Sequence, residues 1–288
     1  MTDHGEVQSS PPGLDDLADL VHDGGVAVLS GAGISTESGI PDYRGPTGAA
    51  RPSSPMTYQV FTGDAAARRR YWARSHLGWK VIARAQPNAG HRAVAALERA
   101  GVVDGVVTQN VDGLHTAAGS SDVVELHGNL DRVVCLTCGD LSARSFLAER
   151  LREANPDWSA EVTGVNPDGD VSLPDEALDG FRVVPCVVCG GVLKPDVVFF
   201  GETVPPERVA ASFALVQRSR VLLVLGSSLK VMSGHRFVLR AAKLGIPVAI
   251  VNQGETRGDP HATLKVELPL GPALTSLVEA VVPVGATG

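Results

Sequence analysis

One stretch of the chain, Val26-Ala27-Val28-Leu29-Ser30-Gly31-Ala32-Gly33-Ile34-Ser35, runs from an apolar segment directly into a turn with two glycines. Its first residues are apolar without polar alternation, as in strands that are covered on both faces. The runs Gly105–Thr108, Val221–Leu225 and Pro247–Val251 have the same character. Helical stretches such as Gly90–Arg99 lie between them. Strand alternating with helix predicts an α/β fold with a Rossmann-like, doubly wound parallel sheet.

Two segments interrupt this alternation. The first carries Tyr71, Trp72 and Trp79 in a mixed polar context, and the second carries all four cysteines. We expect both to belong to a smaller domain that is inserted into the sheet domain. The predicted bounds are 1–13 for a loose tail, 14–45, 87–130 and 195–288 for the sheet domain, and 46–86 and 131–194 for the smaller helical domain.

The composition restricts the class of protein. With 44% apolar residues, a chain of 288 residues can bury a large core without disulfides. The net charge of −7 argues against direct nucleic-acid binding, because phosphate neutralisation needs a basic surface. No apolar run approaches the roughly 20 residues that span a bilayer. The start of the chain also lacks the pattern of a signal or transit peptide, so we expect a cytoplasmic protein without a membrane partner.

The four cysteines form two pairs, Cys135-x-x-Cys138 and Cys186-x-x-Cys189, and a glycine follows each pair. Four thiolates suit a tetrahedral, structural Zn²⁺ that has no open position for chemistry. The spacer between the pairs is longer than in an ordinary zinc ribbon, and two disulfides or free thiols are the alternative. We predict one structural zinc ion in the smaller domain.

Small and polar residues follow three of the predicted strands. Besides the glycines after Ser30, these are Gly226-Ser227-Ser228 and Asn252-Gln253-Gly254. Ligands of open α/β sheets bind beyond the carboxyl ends of the strands, and glycine lets backbone N–H groups approach a pyrophosphate. Thr36 stands where the dinucleotide fingerprint has its third glycine, so ordinary tight turns remain an alternative. The three turns together predict a dinucleotide cradle.

Five segments of the chain, in order, resemble the motifs of the sirtuin family. They are Gly31–Gly45 (GAGISTESGIPDYRG), Thr108–His115 (TQNVDGLH), Leu126–Asn129 (LHGN), Lys194–Glu202 (KPDVVFFGE) and Gly226–Leu229 (GSSL). The resemblance implies an NAD-dependent protein-lysine deacylase that acts on acylated proteins. Its products would be nicotinamide, O-acyl-ADP-ribose and free lysine.

Three further segments resemble the class II branch of that family. This branch includes the animal mitochondrial sirtuin associated with ADP-ribosyl transfer and with removal of lipoyl or branched acyl groups. The segments are Arg70–Arg74, Pro167–Val171 and Val231–Phe237. Since the chain lacks a transit-peptide pattern, it resembles a bacterial relative more than an organellar protein.

The resemblance assigns three catalytic residues. His127 would be the base that activates a ribose hydroxyl, a task that suits neutral imidazole near pH 7. Asn110 would position the ribose and a water, and Asp112 would accept a hydrogen bond from the nicotinamide carboxamide. Asn and Asp also favour turns after strands, which is the alternative for both. The other predicted cofactor contacts are Gly31, Ala32, Gly33, Ile34, Glu37, Asp42, Tyr43, Arg44, Gln109, Val111, Gly226, Ser227, Ser228, Asn252, Gln253, Gly254 and Leu270.

An apolar tunnel for the substrate lysine is predicted between a strand at 197–201 and the segment 228–232. Val198 and Phe200 are two residues apart, so they share one face of a strand. Together with Gly201 and Val231 they resemble the walls of the family's tunnel. The alternative is that the apolar residues belong to the core.

Tyr71 and Arg74 are predicted to contact the acyl group. They lie three residues apart and therefore on one face of a helix. The spacing resembles the Tyr-x-x-Arg of desuccinylating sirtuins, whose phenol and guanidinium bind an acyl carboxylate. It predicts that the enzyme accepts acidic or branched acyl groups, such as glutaryl-type chains, at least as well as it accepts acetyl. Alternatively, Arg74 only continues the basic helix face that begins at Arg68.

Three other functions compete. A protein mono-ADP-ribosyltransferase would use the same cofactor geometry. A non-catalytic zinc module that senses NAD⁺ or ADP-ribose is disfavoured by the presence of Asn110, Asp112 and His127 together. A hydride-transferring dehydrogenase is disfavoured by the incomplete dinucleotide fingerprint.

Overall fold

The computed structural model describes residues 12–42, 56–160, 171, 173, 178 and 180–283, apart from the side chain of Val81. In this part of the chain, no helix is both long and apolar enough to cross a bilayer. The helices are α1 Leu14–Val21, α2 Tyr58–Gly63, α3 Ala65–Ile82, α4 Ala89–Arg99, α5 Leu114–Ala117, α6 Arg144–Ala154, α7 Pro206–Arg218, α8 Met232–Leu244 and α9 Leu270–Val281, with 3₁₀ turns at Ala32–Ser38 and Asp259–His261.

The strands form two sheets. Their bounds are β1 Val26–Ser30, β2 Val103–Thr108, β3 Val123–Glu125, β4 Gly128–Cys135, β5 Leu141–Ala143, β6 Leu193–Val197, β7 Val221–Leu225, β8 Val248–Val251 and β9 Leu264–Val266. The larger sheet has the order β3-β2-β1-β7-β8-β9 and all its pairings are parallel. The predicted doubly wound parallel sheet is therefore confirmed.

Both faces of this sheet are covered, which explains the unbroken apolar runs. Along β1 every residue is buried, and Val26 and Val28 point into one core cluster while Ala27 and Leu29 point into another. Helices α1, α4 and α9 contribute to the first cluster, and α7 and α8 contribute to the second. Each fully buried Val or Leu stabilises the fold by about 1.5–3 kcal/mol, so two-sided burial fixes this strand firmly.

The site of the cleft follows from the strand order. The chain builds the sheet outward from β1 through β2 and β3 on one side, and from β7 through β8 and β9 on the other. Neighbouring turns therefore separate at the carboxyl ends of β1 and β7, where open α/β sheets bind their ligands.

A three-stranded antiparallel sheet, β5-β4-β6, packs with α3 and α6 beside the large sheet. The buried Trp72 is central to this core, and its indole N–H donates to the Leu193 carbonyl at 3.2 Å. The core combines residues from both segments that were predicted to form the smaller domain, such as Phe61 and Leu147. The domain bounds themselves stay a prediction.

The strand predicted at 197–201 differs from the observed one, because β6 ends at Val197. A turn follows, in which the Glu202 amide donates to the Phe199 carbonyl at 3.0 Å. The Glu202 carboxylate accepts from the Phe199 amide at 2.8 Å, and Gly201 has a φ of 77°. These bonds replace a strand ladder, and so the segment leaves the sheet at the rim of the cleft.

Candidate functional site

A cleft of about 1190 Å³ lies at the carboxyl ends of β1, β2, β7 and β8. It collects nearly all of the described residues that were predicted to contact a cofactor. Ile34 is the exception, since its side chain is 1% exposed and packs in the core. Tyr43 and Arg44 lie outside the described residues. The predicted cofactor residues on the cleft wall are Gly31, Ala32, Gly33, Glu37, Asp42, Gln109, Asn110, Val111, Asp112, Gly226, Ser227, Ser228, Asn252, Gln253, Gly254 and Leu270.

The turns after β1 and β7 touch backbone to backbone at the floor of the cleft. The Gly33 amide donates to the Gly226 carbonyl at 2.8 Å, and the Gly31 amide donates to the Leu225 carbonyl at 3.0 Å. A Cβ at Gly33 would lie 2.8 Å from the Gly226 Cα, and one at Gly226 would lie 2.6 Å from the Ile34 nitrogen. Only glycine allows this approach, which leaves an open, small-residue surface of the kind that cradles phosphates.

Glu37 has a structural contact besides its place on the cleft wall. Its carboxylate accepts a hydrogen bond from the Gly271 amide at 3.0 Å, in the first turn of α9. A carboxylate at a helix N-terminus satisfies a free amide and complements the helix dipole. Glu37 therefore connects the turn Ala32–Ser38 to α9.

Asn110 and Asp112 converge on Ser35, which the sequence analysis did not single out. The Ser35 hydroxyl donates to the Asp112 Oδ2 at 2.7 Å, and the Asn110 amide donates to the Ser35 Oγ at 3.0 Å and to the Gly31 carbonyl at 3.1 Å. The Leu114 amide donates to the Asp112 Oδ1 at 2.9 Å. Burial raises the pKa of the Asp112 carboxyl above its ordinary value, and the hydrogen bonds from Ser35 and Leu114 oppose that shift.

Two buried histidines support this cluster from behind. The His115 Nε2 lies 2.9 Å from the Ser30 Oγ, and the rings of His91 and His115 are 5.0 Å apart. Burial lowers the pKa of His115 to about 3 and that of His91 to about 4, so both rings are neutral at physiological pH. Asn88 caps α4 by accepting from the His91 amide, and donates to the Ile34 carbonyl at 2.7 Å. An Asn-x-x-His spacing at a helix start could have indicated this cap, but the sequence analysis did not use it.

His127 lies on the cleft wall with both ring nitrogens engaged. Its Nδ1 is 3.0 Å from the Gln109 carbonyl oxygen, and its Nε2 is 2.8 Å from the Ser233 Oγ. Burial lowers the pKa of His127, and the positive charges of Arg236 and Arg208 lower it further, while the bond to Gln109 acts in the opposite direction. The imidazole is therefore neutral near pH 7, as a general base requires.

An ionic network lies beneath His127. Asp196 accepts from Arg132 at 2.9 Å and from Arg208 at 2.9 Å, and Arg132 also reaches Glu125 at 2.7 Å. A Cβ at Gly128, which has a φ of 86°, would overlap the Asp196 carbonyl oxygen. The network joins β3, β4, β6 and α7, and its Arg208 lowers the pKa of His127. No local sequence pattern indicates this network, because its partners are separated along the chain.

The predicted tunnel residues Val198, Phe200, Gly201 and Val231 all line the cleft. Phe200 is 42% exposed and Val231 is 37% exposed, whereas Phe199 is buried in the core of the smaller sheet. Exposed apolar side chains on a concave wall are available to an apolar ligand chain. The core alternative therefore does not hold for Phe200 and Val231.

Tyr71 and Arg74 are not among the residues that line the cleft. The Tyr71 side chain is 3% exposed and packs edge-on against Phe61, Trp72 and Phe199 with ring centroids 5.3–5.4 Å apart. Tyr71 thus supports the wall from its inner side, through Phe199. The structure does not bring the two side chains to the cleft, and a direct acyl contact stays a prediction.

The four cysteines meet in one cluster away from the cleft. All four Sγ atoms lie within 4.8 Å of one another, with the Cys135–Cys189 pair at 3.5 Å and the Cys138–Cys186 pair at 3.9 Å. No pair forms a disulfide. Four sulfurs at Zn–S bonds of about 2.3 Å stand roughly 3.8 Å apart in a tetrahedron, which these separations match.

The surroundings of the sulfurs also fit a zinc ion. Backbone amides of Thr137, Val188 and Gly191 each point at a cysteine sulfur at 3.4 Å. Hydrogen bonds from the Cys138 and Thr137 amides lower the pKa of Cys135 to about 6, whereas the neighbouring cysteine sulfurs raise the pKa of Cys138 and of Cys189, so four thiolates need a cation between them. The residues present suit a closed, structural Zn²⁺.

Comparison with known proteins gives consistent matches. Residues 31–233 match the family model described as Sir2 family. The chain is 65% identical over 272 residues to the Streptomyces coelicolor protein named NAD-dependent protein deacetylase 1, covering 93% of this chain and 91% of that protein. It is 58% identical over 247 residues to the Mycobacterium avium protein of the same name, covering 84% and 86%.

Solved structures resemble it as well. One described as "Sir2-p53 peptide-NAD+" has a TM-score of 0.74 at 30% identity and covers 92% of this chain and 97% of its own. Another, described as "Sir2 bound to acetylated peptide", has a TM-score of 0.71 at 29% identity with the same coverage.

Proposed function

The chain belongs to the Sir2 family, and from that premise we propose that it is an NAD⁺-dependent protein-lysine deacylase whose reaction takes place in the described cleft. One observation carries the proposal. The neutral His127 imidazole faces the same cavity as the glycine floor between β1 and β7 and the exposed apolar side chains of Phe200 and Val231. A base, a phosphate cradle and an apolar channel for an alkyl chain are the parts that this reaction needs.

NAD⁺ is consumed in the reaction and is therefore a substrate. Its pyrophosphate suits the floor formed by Gly31, Gly33 and Gly226, because these residues have no side chains and let a phosphate group approach the backbone closely. Its nicotinamide end suits Asp112, because Ser35 and Leu114 hold this carboxylate in one orientation. Asp112 would then accept from the carboxamide N–H₂ and twist the ring toward departure.

The acylated lysine would approach along Val198, Phe200 and Val231. Its acyl oxygen attacks the ribose carbon that nicotinamide leaves, a ribose hydroxyl then attacks the acyl carbon, and water finally releases free lysine and O-acyl-ADP-ribose. The second attack needs a base, which we assign to His127. Asn110, held by Gly31 and Ser35, would orient the ribose. Relatives named deacetylases make acetyl the first acyl group to test.

Zinc would take no part in this chemistry. The residues Cys135, Cys138, Cys186 and Cys189 do not line the cleft, and they leave no ligand position open. Their proposed role is to hold the loops at the ends of β4 and β6 together. A Zn²⁺ ion bound there would lock the smaller sheet against α6.

A product analysis tests the proposal directly. The purified protein is incubated with NAD⁺ and an acetyl-lysine peptide, and the products are identified by mass spectrometry. We expect nicotinamide, O-acetyl-ADP-ribose and free lysine in equal amounts. ADP-ribose attached to protein would instead indicate the transferase, NADH absorbance the dehydrogenase, and intact NAD⁺ a non-catalytic sensor.

A second prediction concerns the glycine floor. Gly226→Ala should weaken NAD⁺ binding at least about tenfold, because the new Cβ would push the Ile34 nitrogen and reshape the turn after β1. The φ of 60° at this residue adds backbone strain of about 1–3 kcal/mol. Isothermal titration with NAD⁺ measures the change.

Gly245→Ala is the matched control for that variant. Gly245 has a φ of 71°, ends α8 outside the cleft, and has nothing within 4 Å of its added Cβ. It should lose stability through strain but keep its affinity for NAD⁺. Equal affinity losses in both variants would remove the close approach at Gly226 from the explanation.

A further inference from the structure

The environment of the proposed base contains a side chain that the mechanism above does not use. Ser233 lies in the first turn of α8, is 8% exposed, and lines the cleft. Its Oγ is 2.8 Å from the His127 Nε2. This is the nitrogen that any substrate hydroxyl must reach.

The hydrogen-bond partners fix the direction of this bond. A carbonyl oxygen only accepts, so the contact between the Gln109 carbonyl and the His127 Nδ1 places the proton on Nδ1. In a neutral imidazole the Nε2 is then the acceptor. The Ser233 hydroxyl therefore donates its proton to the Nε2, and its oxygen can still accept a hydrogen bond from a group bound in the cleft that Ser233 lines.

The position of Ser233 is fixed by the start of α8. A Cβ at Gly234 would lie 2.5 Å from the Gln109 Nε2, so this helix turn rests directly on the Gln109 side chain. The Gln109 Oε1 in turn accepts from the Ser227 Oγ at 2.7 Å. Since Gln109 also holds the imidazole through its carbonyl, one residue sets the distance between Ser233 and His127.

Other polar groups of the cluster are occupied by different partners. Asn110 donates to Ser35 and Gly31, and Asp112 accepts from Ser35 and Leu114. Within the described ranges, the Ser233 hydroxyl is the side-chain group that hydrogen-bonds to His127. A substrate hydroxyl must either displace this serine or act through it, and the packing of α8 on Gln109 opposes displacement.

We propose that Ser233 is a proton relay, which passes the proton of the attacking ribose hydroxyl to His127. The ribose O–H bond breaks as its oxygen bonds to the acyl carbon, and that proton moves to the Ser233 Oγ. The proton already on the Oγ moves to the His127 Nε2 at the same time. The serine ends neutral and the imidazole ends protonated, so the transfer balances without a free alkoxide. The inference rests on the proposed function, because it needs the ribose as the proton source.

The relay also agrees with the charges around it. Arg236, three residues after Ser233 on α8, and Arg208 on α7 both disfavour a protonated His127 before substrate arrives. The Gln109 carbonyl, through the Nδ1–H, stabilises the imidazolium once the proton has been transferred. The resting base is thus unprotonated and ready to accept from Ser233.

The test is Ser233→Ala, which removes only the hydroxyl. Nicotinamide exchange into NAD⁺ precedes the ribose attack, whereas formation of O-acetyl-ADP-ribose follows it. We expect deacylation kcat to fall about tenfold to a hundredfold, which is less than most of the roughly 10²–10⁴-fold of general-base catalysis because His127 remains in place. The rate of nicotinamide exchange and the KM for NAD⁺ should stay within about twofold of the values for the protein without the substitution. The melting temperature should stay within about 2 °C.

Ser212→Ala is the matched control, because this buried serine on α7 donates to the carbonyl of Arg208 in its own helix and lies outside the cleft. Its rates should be unchanged. Full deacylation in Ser233→Ala would overturn the relay, since His127 would then act directly. Parallel losses of exchange and deacylation would overturn it too, because they indicate a role in binding or folding. If the protein without any substitution deacylates no peptide, the result contradicts the proposed function instead of the relay.

Discussion

Replacing His127 with tyrosine is expected to lower kcat/KM for lysine deacylation by at least about a hundredfold, since general-base catalysis contributes roughly 10²–10⁴-fold. A phenol with a pKa near 10 cannot accept a proton at neutral pH. Its single hydroxyl oxygen also cannot take the positions of both ring nitrogens, of which Nδ1 bonds to the Gln109 carbonyl and Nε2 to Ser233. Binding of NAD⁺ should persist, because the glycine floor is separate from the base.

The measurement compares deacylation rates and NAD⁺ affinities of the variant and the unchanged protein. His22→Tyr, at the exposed end of α1, makes the same substitution outside the cleft and should leave both quantities unchanged. A His127→Tyr protein that deacylates within tenfold of the unchanged protein would remove His127 from the role of base. Loss of NAD⁺ binding in the same variant would point to a distorted cleft.

The pH dependence follows from the same residue. Burial and the nearby arginines hold the pKa of His127 below its ordinary value of about 6.5, and the reaction needs the neutral ring. Activity should therefore be fully present at pH 7 and fall only as the pH drops through a value below 6.5. An acid limb of kcat/KM centred above pH 7 would contradict the assigned base.

Replacing Cys186 with serine is expected to release zinc and to destabilise the protein by about 4 kcal/mol or more, as losses of structural metals do. For a chain of this size that corresponds to a fall in the melting temperature of roughly 10 °C. Cys186 is 4% exposed and packs in the core of the smaller sheet, so the loss reaches well beyond the metal. Metal analysis and thermal melting measure the two effects.

Val188→Ser is the control in the same loop. Its side chain is 66% exposed, and only its backbone amide approaches the Cys186 sulfur. This variant should retain one zinc ion per chain and melt normally. A Cys186→Ser protein with normal melting and activity would show that the metal does not stabilise the fold, and slow chelation of the unchanged protein should reproduce the effect of the mutation.

Local patterns were sufficient where neighbouring residues carry the whole signal. Val26–Ser30 is buried on both faces, so its unbroken apolar run predicted the strand without knowledge of its partners. The same holds for Val221–Leu225. The two Cys-x-x-Cys pairs each fold as one loop, so their sulfurs were expected to lie close together within each pair. That the two pairs meet depends on the pairing of β4 with β6.

The helix that carries Tyr71 and Arg74 shows where such patterns stop. Spacing placed both residues on one face of α3, but it did not say which way that face points. The packing of Tyr71 against Phe61 and Phe199 decides this, and it directs the ring into the core. Phe199 comes from a distant part of the chain, so no window of sequence around α3 contains the information.

Sequence patterns predicted the parallel sheet, the glycine turns, His127 as the candidate base and the two Cys-x-x-Cys pairs, because each prediction rests on residues close together in the chain or on a motif quoted whole. Which groups meet across the cleft depends on the tertiary structure. Ser35 joins Asn110 to Asp112, Glu37 binds the first turn of α9, and Ser233 reaches His127 across 106 residues of chain. Hydrogen bonds act over about 3 Å whatever the separation in sequence, and it is the packing of helices on the sheet that brings these partners within that distance.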